Sequence, residues 1–305
     1  MKNYIIVGGY SQDAIYITKY ILKNRNSKIY LLVDKIKSKH FINKNVRYLS
    51  FDIFNYNKIK IFLRKFKTCK IIFLASKNIS SDQKEESNIL FQNIDINVKS
   101  LILFLEYISN FNKNIKLFYA SSSHIFYNTK KKIQSEKTNP NFLSNYALSK
   151  YLGFEICNYY RDKKKINVST GIIYTHYSKY TKSKFLIKKI LYFMNNTNKK
   201  KLSINNPSKL IDFLHASEVA DAIIQILKLK KPNNFIISSY QPIKINKIFT
   251  ILKRILNKEN KQLNKKKIKN NSNKTLIGNN KKILKQTGWK PLTTMERIKL
   301  LVDDE

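Results

Sequence analysis

Glycine, proline, cysteine, tryptophan and acidic side chains are all scarce in this 305-residue chain. It holds six Gly, five Pro, two Cys and one Trp, and 19 Asp and Glu stand against 59 Lys and Arg. Cys69 and Cys157 lie far apart, with no CxxC spacing and no histidine nearby. That excludes a disulfide framework and a thiolate metal site, and reads as two buried reduced thiols with no metal expected. No apolar run reaches the roughly 18 residues that a membrane span needs. The first residues run straight into a strand-like segment with no cleavage site, so a cytoplasmic setting is expected. Average usage would give about 21 glycines. Against that scarcity, the adjacent pair Gly8-Gly9 at the end of the first strand-like run carries information.

Lysine, isoleucine and asparagine are abundant. The net charge is +40, yet 53 of the basic residues are Lys and six are Arg, Ile occurs 44 times against seven Val, and Asn occurs 36 times. AT-rich codons raise Lys, Ile and Asn together. Selection for a nucleic-acid surface has no use for Ile over Val, and would favour the Arg fork. Coding bias is therefore the reading of the charge, with a polyanion-binding surface as the alternative; nucleic acid is not an expected partner. With 43% hydrophobic residues the chain has ample material for a core.

Apolar runs at Tyr4–Val7, Ile29–Val33, Val46–Phe51, Ile71–Leu74, Ile115–Ala120 and Val168–Ile173 read as strands. Helical spacing fills about 12–24, 55–66, 86–111 and 144–163 between them. This alternation predicts an α/β fold, a Rossmann-type doubly wound parallel sheet, over residues 1–175. After 175 the rhythm changes. Helices are expected at 185–196, 217–230 and 243–256, with a strand at Phe235–Ile237. Residues 176–305 are read mainly as a smaller C-terminal α/β substrate-binding domain, and parts of 210–240 would complete the first. The polar, low-complexity stretch 257–274 reads as a flexible basic loop.

A dinucleotide loop wants small residues at its first, fourth and seventh positions, for the turn, the pyrophosphate and helix packing. Here these are Gly8, Ser11 and Ala14, with Gln12 and Asp13 between. Ser11 would crowd a pyrophosphate if its backbone needed a positive φ. Asp34, 20 residues beyond Ala14 at the end of the second strand, can accept from a ribose 2′-OH and repel a 2′-phosphate, which favours NAD over NADP. Lys35 and Lys37 could instead pair with such a phosphate. Asp52, ending the third strand, fits either an adenine pocket or a helix start.

The pair Tyr146/Lys150 shares a helix face, so the ammonium can lower the phenol's pKa for proton abstraction from a hydroxyl. The spacing alone is uninformative, since seven YxxxK pairs occur in this chain. Tyr146 is distinguished by the polar strand end before it, Tyr119-Ala120-Ser121-Ser122-Ser123-His124. Strand alternation would put Ser122 and His124 on one face. Ser122, Tyr146 and Lys150 are the expected catalytic group.

These motifs together resemble the extended short-chain dehydrogenase/reductase (NAD-dependent epimerase/dehydratase) family, most of all its GDP-mannose 4,6-dehydratase branch. Gly8–Ala14 is similar to G-x-T-G-Q-D-G, Asn97-Val98 to N-V-x-G-T, and Tyr119–Phe126 to A-S-T-S-E-L-Y. Gly171–Ser178 is similar to G-I-L-F-N-H-E-S, Asp212–Ala216 to R-D-W-x-H-A, and Thr287–Pro291 to L-G-W-K-P. The resemblance implies NAD(P) as cofactor, with Ala75, Tyr146 and Lys150 added to its binding residues, and a nucleotide-diphosphate sugar such as GDP-mannose as substrate. It also implies a homodimer or homotetramer, and substrate contacts from Thr175, His176, Lys188 and Lys209. Three positions depart from the branch. His124 stands where a glutamate moves protons in the elimination, Thr175 replaces an asparagine, and Ile211 replaces the arginine that would hold the diphosphate. The implied reaction is C4 oxidation, water elimination across C5–C6 and re-reduction. A 4-ketosugar reductase or epimerase is the alternative, and an eroded Rossmann protein binding cofactor or polyanion is a third.

Overall fold

The computed structural model describes residues 1–23, 26–37, 39–77, 89–181, 185–196, 198, 200–265 and 275–304. The seven expected strands form β1 (Lys2–Val7), β2 (Ser27–Val33), β3 (Val46–Ser50), β4 (Lys70–Phe73), β5 (Lys116–Ser122), β6 (Asn167–Ile173) and, further on, β11 (Asn234–Ile237). All pair in parallel, in the order β11-β6-β5-β4-β1-β2-β3. The order reverses between β1 and β4, the point where open α/β sheets leave a crevice beyond their carboxyl ends.

Side chains alternate across the sheet and feed two cores. Tyr4, Ile6, Leu31, Ile72 and Phe118 face helices α1 (Gln12–Leu22) and, later in the chain, α7 (Ala216–Ile226). Ile5, Val7, Leu32, Ile71 and Phe73 face α2 (Tyr56–Leu63), α4 (Ser100–Phe111) and α5 (Asn145–Asp162). Burying such Ile, Leu and Phe side chains is worth about 1.5–3 kcal/mol each.

The helix expected at 86–111 runs without a gap from Ile89 to Phe111, with a π turn inside it. Residues 78–88 lie outside the described residues; α3 (Ile89–Ile94) passes through a π turn at Asp95–Lys99 before α4 begins. Such an extra residue in a turn shifts the helix face locally, and here it turns Asn97 into the interior, fully buried.

The C-terminal part has its own core, built by α6 (Leu186–Asn195), α8 (Ile245–Ile255) and α10 (Thr294–Asp303) around Phe213. Short strand pairs sit beside it. β7 (Thr175–Tyr177) pairs with β10 (Phe213–His215), β8 (Lys201–Ile204) with β13 (Gln262–Lys265), and β9 (Leu210–Ile211) with β12 (Ile243–Lys244). Helix α9 (Lys281–Thr287) stops at Gly288, which takes the left-handed conformation (φ 72°). The expectation of an unstructured loop at 257–274 is corrected at β13, because Leu263 packs into this third core. Residues 266–274 lie outside the described residues. Both cysteines are free and buried, and burial pushes each thiol up to about 12.

Candidate active site

The loop after β1 turns where only glycine is comfortable. Gly8 has φ +93°, and a Cβ there would stand 2.8 Å from the Ala75 main-chain nitrogen. Gly9 lies against β2, where a Cβ would come within 2.8 Å of Leu31 Cβ. These two approaches account for the retained glycine pair. Ser11 has φ −66°, so it needs no left-handed backbone; its Oγ caps α1 by accepting from Ala14 N at 3.1 Å. The residues Gly8, Ser11, Gln12, Asp13 and Ala75 are thus gathered at the carboxyl ends of β1 and β4.

Asp34 is exposed just past β2, and Ser50 Oγ donates to its carbonyl at 2.8 Å. Tyr10 holds the turn that follows, accepting from Lys37 N at 2.6 Å and stacking on Tyr48. Asp52 turns its Oδ1 to Phe54 N at 2.9 Å, the local turn-forming role, while Asn55 caps α2.

The second group sits where β5 meets α5. Ser122 ends β5, and residues Ser123–Phe126 form a 3-10 turn. Strand alternation therefore ends at Ser122 and does not place His124, contrary to expectation. The turn itself brings the His124 ring edge-on to Tyr146, with centroids 5.8 Å apart and planes at 89°. Ser122 Oγ accepts from His124 N at 3.3 Å. Burial raises the Tyr146 phenol, while the hydroxyls of Ser122 and Ser76 pull the other way. Lys150 is almost fully buried; its Nζ donates to the Ala120 carbonyl at 2.9 Å and lies 6.0 Å from the Tyr146 ring centre. Burial pushes its ammonium down to about 7. Burial also lowers His124, so its imidazole is neutral near pH 7.

Two supports were not legible from spacing. Asn97 Nδ2 donates to Ser149 Oγ at 2.9 Å, and that hydroxyl donates to the Tyr146 carbonyl at 2.8 Å, which fixes the turn carrying Tyr146 and Lys150. The Ser76 hydroxyl is buried beside Tyr146 and, with Ser122, favours its phenolate.

The segment after β6 meets the loop after β1. His176 Nε2 lies 2.9 Å from Asp13 Oδ1, and His176 Nδ1 lies 2.9 Å from the Tyr174 carbonyl. Gln12 Oε1 accepts from Ser178 Oγ at 2.9 Å and Thr181 Oγ1 at 2.8 Å. Thr175 is exposed on β7. Lys188 lies half-buried on α6, and Lys209 half-buried just before Ile211 on β9. Asp212 is buried and accepts from Ser239 N, Ser239 Oγ, Tyr240 N and Gly278 N. Its carboxylate is thereby a structural knot. Among the described residues no cluster of His, Cys, Asp and Glu could hold a metal ion, and no helix is long and apolar enough to cross a membrane.

A family model described as GDP-mannose 4,6 dehydratase matches residues 10–299. The chain is 21% identical to GDP-mannose 4,6 dehydratase 1 of Arabidopsis thaliana, covering 99% of this chain and 89% of that protein. It is 25% identical to GDP-mannose 4,6 dehydratase 2 of Caenorhabditis elegans, over 62% of this chain and 56% of that protein's length. In architecture it is similar to dTDP-glucose 4,6-dehydratase of Bacillus anthracis in complex with NAD (TM-score 0.82, 18% identity, 99% of this chain and 96% of that one). It is also similar to UDP-glucose 4-epimerase of Thermotoga maritima with UDP-glucose (TM-score 0.84, 16% identity, 99% and 97%). At these identities the structural likeness concerns the fold.

Proposed function

The chain belongs to the GDP-mannose 4,6 dehydratase family, and from that premise we propose that it is an NAD(P)-dependent nucleotide-sugar dehydratase. The observation that carries the proposal is the meeting of Ser122, His124, Tyr146 and Lys150 at the carboxyl end of β5. The residues fit a dinucleotide. Gly8 keeps the β1 loop free of a Cβ beside Ala75, and the N-terminus of α1 follows that loop directly at the carboxyl end of β1. Gly8, Ser11, Gln12, Asp13, Asp34, Asp52 and Ala75 would line that cofactor, with Asp34 favouring NAD. We take residues 1–175, with parts of 210–240, as the cofactor-binding part, and 176–305 as mainly the substrate-binding part.

When bound, the dinucleotide supplies a hydride acceptor that later becomes the donor. Tyr146, helped by Ser122, takes the proton of the sugar's C4 hydroxyl. Lys150 holds the phenolate by its charge, and its low pKa leaves the proton easily gained or released near neutrality. His124, neutral at pH 7, is the base that removes the C5 proton and returns it to the departing C6 hydroxyl. Thr175, Lys188 and Lys209 would contact the nucleotide sugar, the lysines supplying charge where Ile211 has none.

The test is incubation with GDP-mannose and NAD(P). A 4-keto-6-deoxy product is expected, with the rate falling at acid pH as His124 becomes protonated, at a pH lower than for an ordinary imidazole because burial disfavours its charged form. His124→Ala should remove that product and His124→Glu should retain or raise it. Turnover of a ketosugar with NAD(P)H but no dehydration, unchanged in His124→Ala, would favour a 4-ketosugar reductase or epimerase. That second reading draws on the histidine in place of the family's glutamate.

A further inference from the structure

The first turn of α1 is where the proposal above, on which this inference rests, puts a diphosphate. A helix N-terminus favours an anion through its dipole and its free N–H groups. Asp13 already places a carboxylate in that turn. The carboxylate is not the cap, because Ser11 Oγ performs that task. Unopposed, it would compete with a diphosphate for the same field and repel it.

The opposing charge comes from the segment after β6. His176 Nε2 is 2.9 Å from Asp13 Oδ1, and Nδ1 is 2.9 Å from the Tyr174 carbonyl oxygen. A carboxylate and a carbonyl only accept, so the site favours the doubly protonated ring, and the contact with Asp13 is an ion pair when the ring carries its charge. Other groups surround this pair. His215, from the neighbouring strand β10, feels the His176 charge and is itself bound to Asp304 and Ser217. Lys150 and Tyr146 of α5 feel the Asp13 charge. Gln12, accepting from Ser178 and Thr181, ties the same turn to the same segment.

We propose that His176 is a positioning residue for the dinucleotide: its imidazolium cancels the Asp13 carboxylate and pins the first turn of α1, leaving that turn free to take a diphosphate. The role is electrostatic, so removing either charge has a different effect from removing both. Burial works against the imidazolium, but Asp13 and the Tyr174 carbonyl outweigh it and hold its pKa above 6.5.

The test is fluorescence titration with NADH, and in parallel NADPH, of the wild-type protein, H176Q, D13N and the double variant, at about pH 6 and about pH 9. At the lower pH, H176Q should bind roughly tenfold more weakly than wild type, and the double variant should recover to within about threefold of D13N. Wild-type affinity should fall more steeply toward the higher pH than that of D13N, in which Lys150 still titrates but the Asp13–His176 pair is gone. Should H176Q fail to fold, that difference in pH dependence between wild type and D13N carries the same prediction. A double variant no tighter than H176Q, or the same pH dependence in wild type and D13N, overturns the proposal while leaving the cofactor reading intact. Wild-type protein that binds neither NADH nor NADPH at either pH overturns both.

Discussion

The central sheet and the C-terminal part of this protein are stabilised by different means. In the sheet, each strand pairs with its neighbours through the backbone and buries an alternating pattern of Ile, Leu and Phe. In the C-terminal part the strand pairs are short, and charged side chains buried between distant segments hold them together. Asp212 gathers the chain at 239, 240 and 278. Glu218 of α7 binds Arg297 of α10 through two contacts, at 2.7 and 3.1 Å, and also accepts from Leu292 N. Arg297 is fully buried over the Phe213 ring. Apolar periodicity builds cores in both regions, and buried ionic knots are what the second adds.

The largest expected effect tests the second region. Arg297→Met leaves the Glu218 carboxylate buried without its partner and should cost about 3–5 kcal/mol in urea unfolding. A loss under about 1 kcal/mol would mean that the knot is not what holds α10 to α7. Next comes the β1 loop. Gly8→Ala forces a side chain onto a backbone at φ +93° and against Ala75. A loss of about 1–3 kcal/mol and a collapse of NADH binding are expected; unchanged binding would contradict the close approach. Ser11→Ala should cost about 1 kcal/mol by uncapping α1, whereas Ser11→Gly should cost only a few tenths.

The smallest effect concerns the seam between the two regions. A histidine whose folded pKa is raised stabilises fully below its unfolded value near 6.5, and that contribution fades as pH rises through the folded value. The stability difference between wild type and Asp13→Asn should therefore shrink from pH 6 towards alkaline pH, read by thermal unfolding across that range. A difference that stays constant would mean His176 is neutral throughout.

Most of the sheet could be read directly, because strands buried on both faces write themselves into short apolar runs, and all seven strands overlap such a run. The Gly8 turn was legible for a related reason: in a chain this poor in glycine, a retained one marks a constraint. The π turn at Asp95–Lys99 was not, because it inserts a residue into a helix without changing its composition. His124 met Tyr146 through a 3-10 turn that strand periodicity does not foresee. The bonds from Gln12 to Ser178 and from His215 to Asp304 join residues far apart in the chain, with no local pattern to announce them. Strand β13 escaped because its sequence, Gln262–Lys265, is almost wholly polar, and only Leu263 turns inward.

The central claim is that Tyr146, out of seven tyrosines with a lysine four residues on, is the acid–base group. Its most direct test is Tyr146→Phe, titrated with NADH and assayed with GDP-mannose in parallel with wild-type protein. Only the hydroxyl is lost, so NADH affinity should stay within about threefold while conversion of the sugar disappears. Conversion by Tyr146→Phe at a rate near that of the wild type would contradict the assignment.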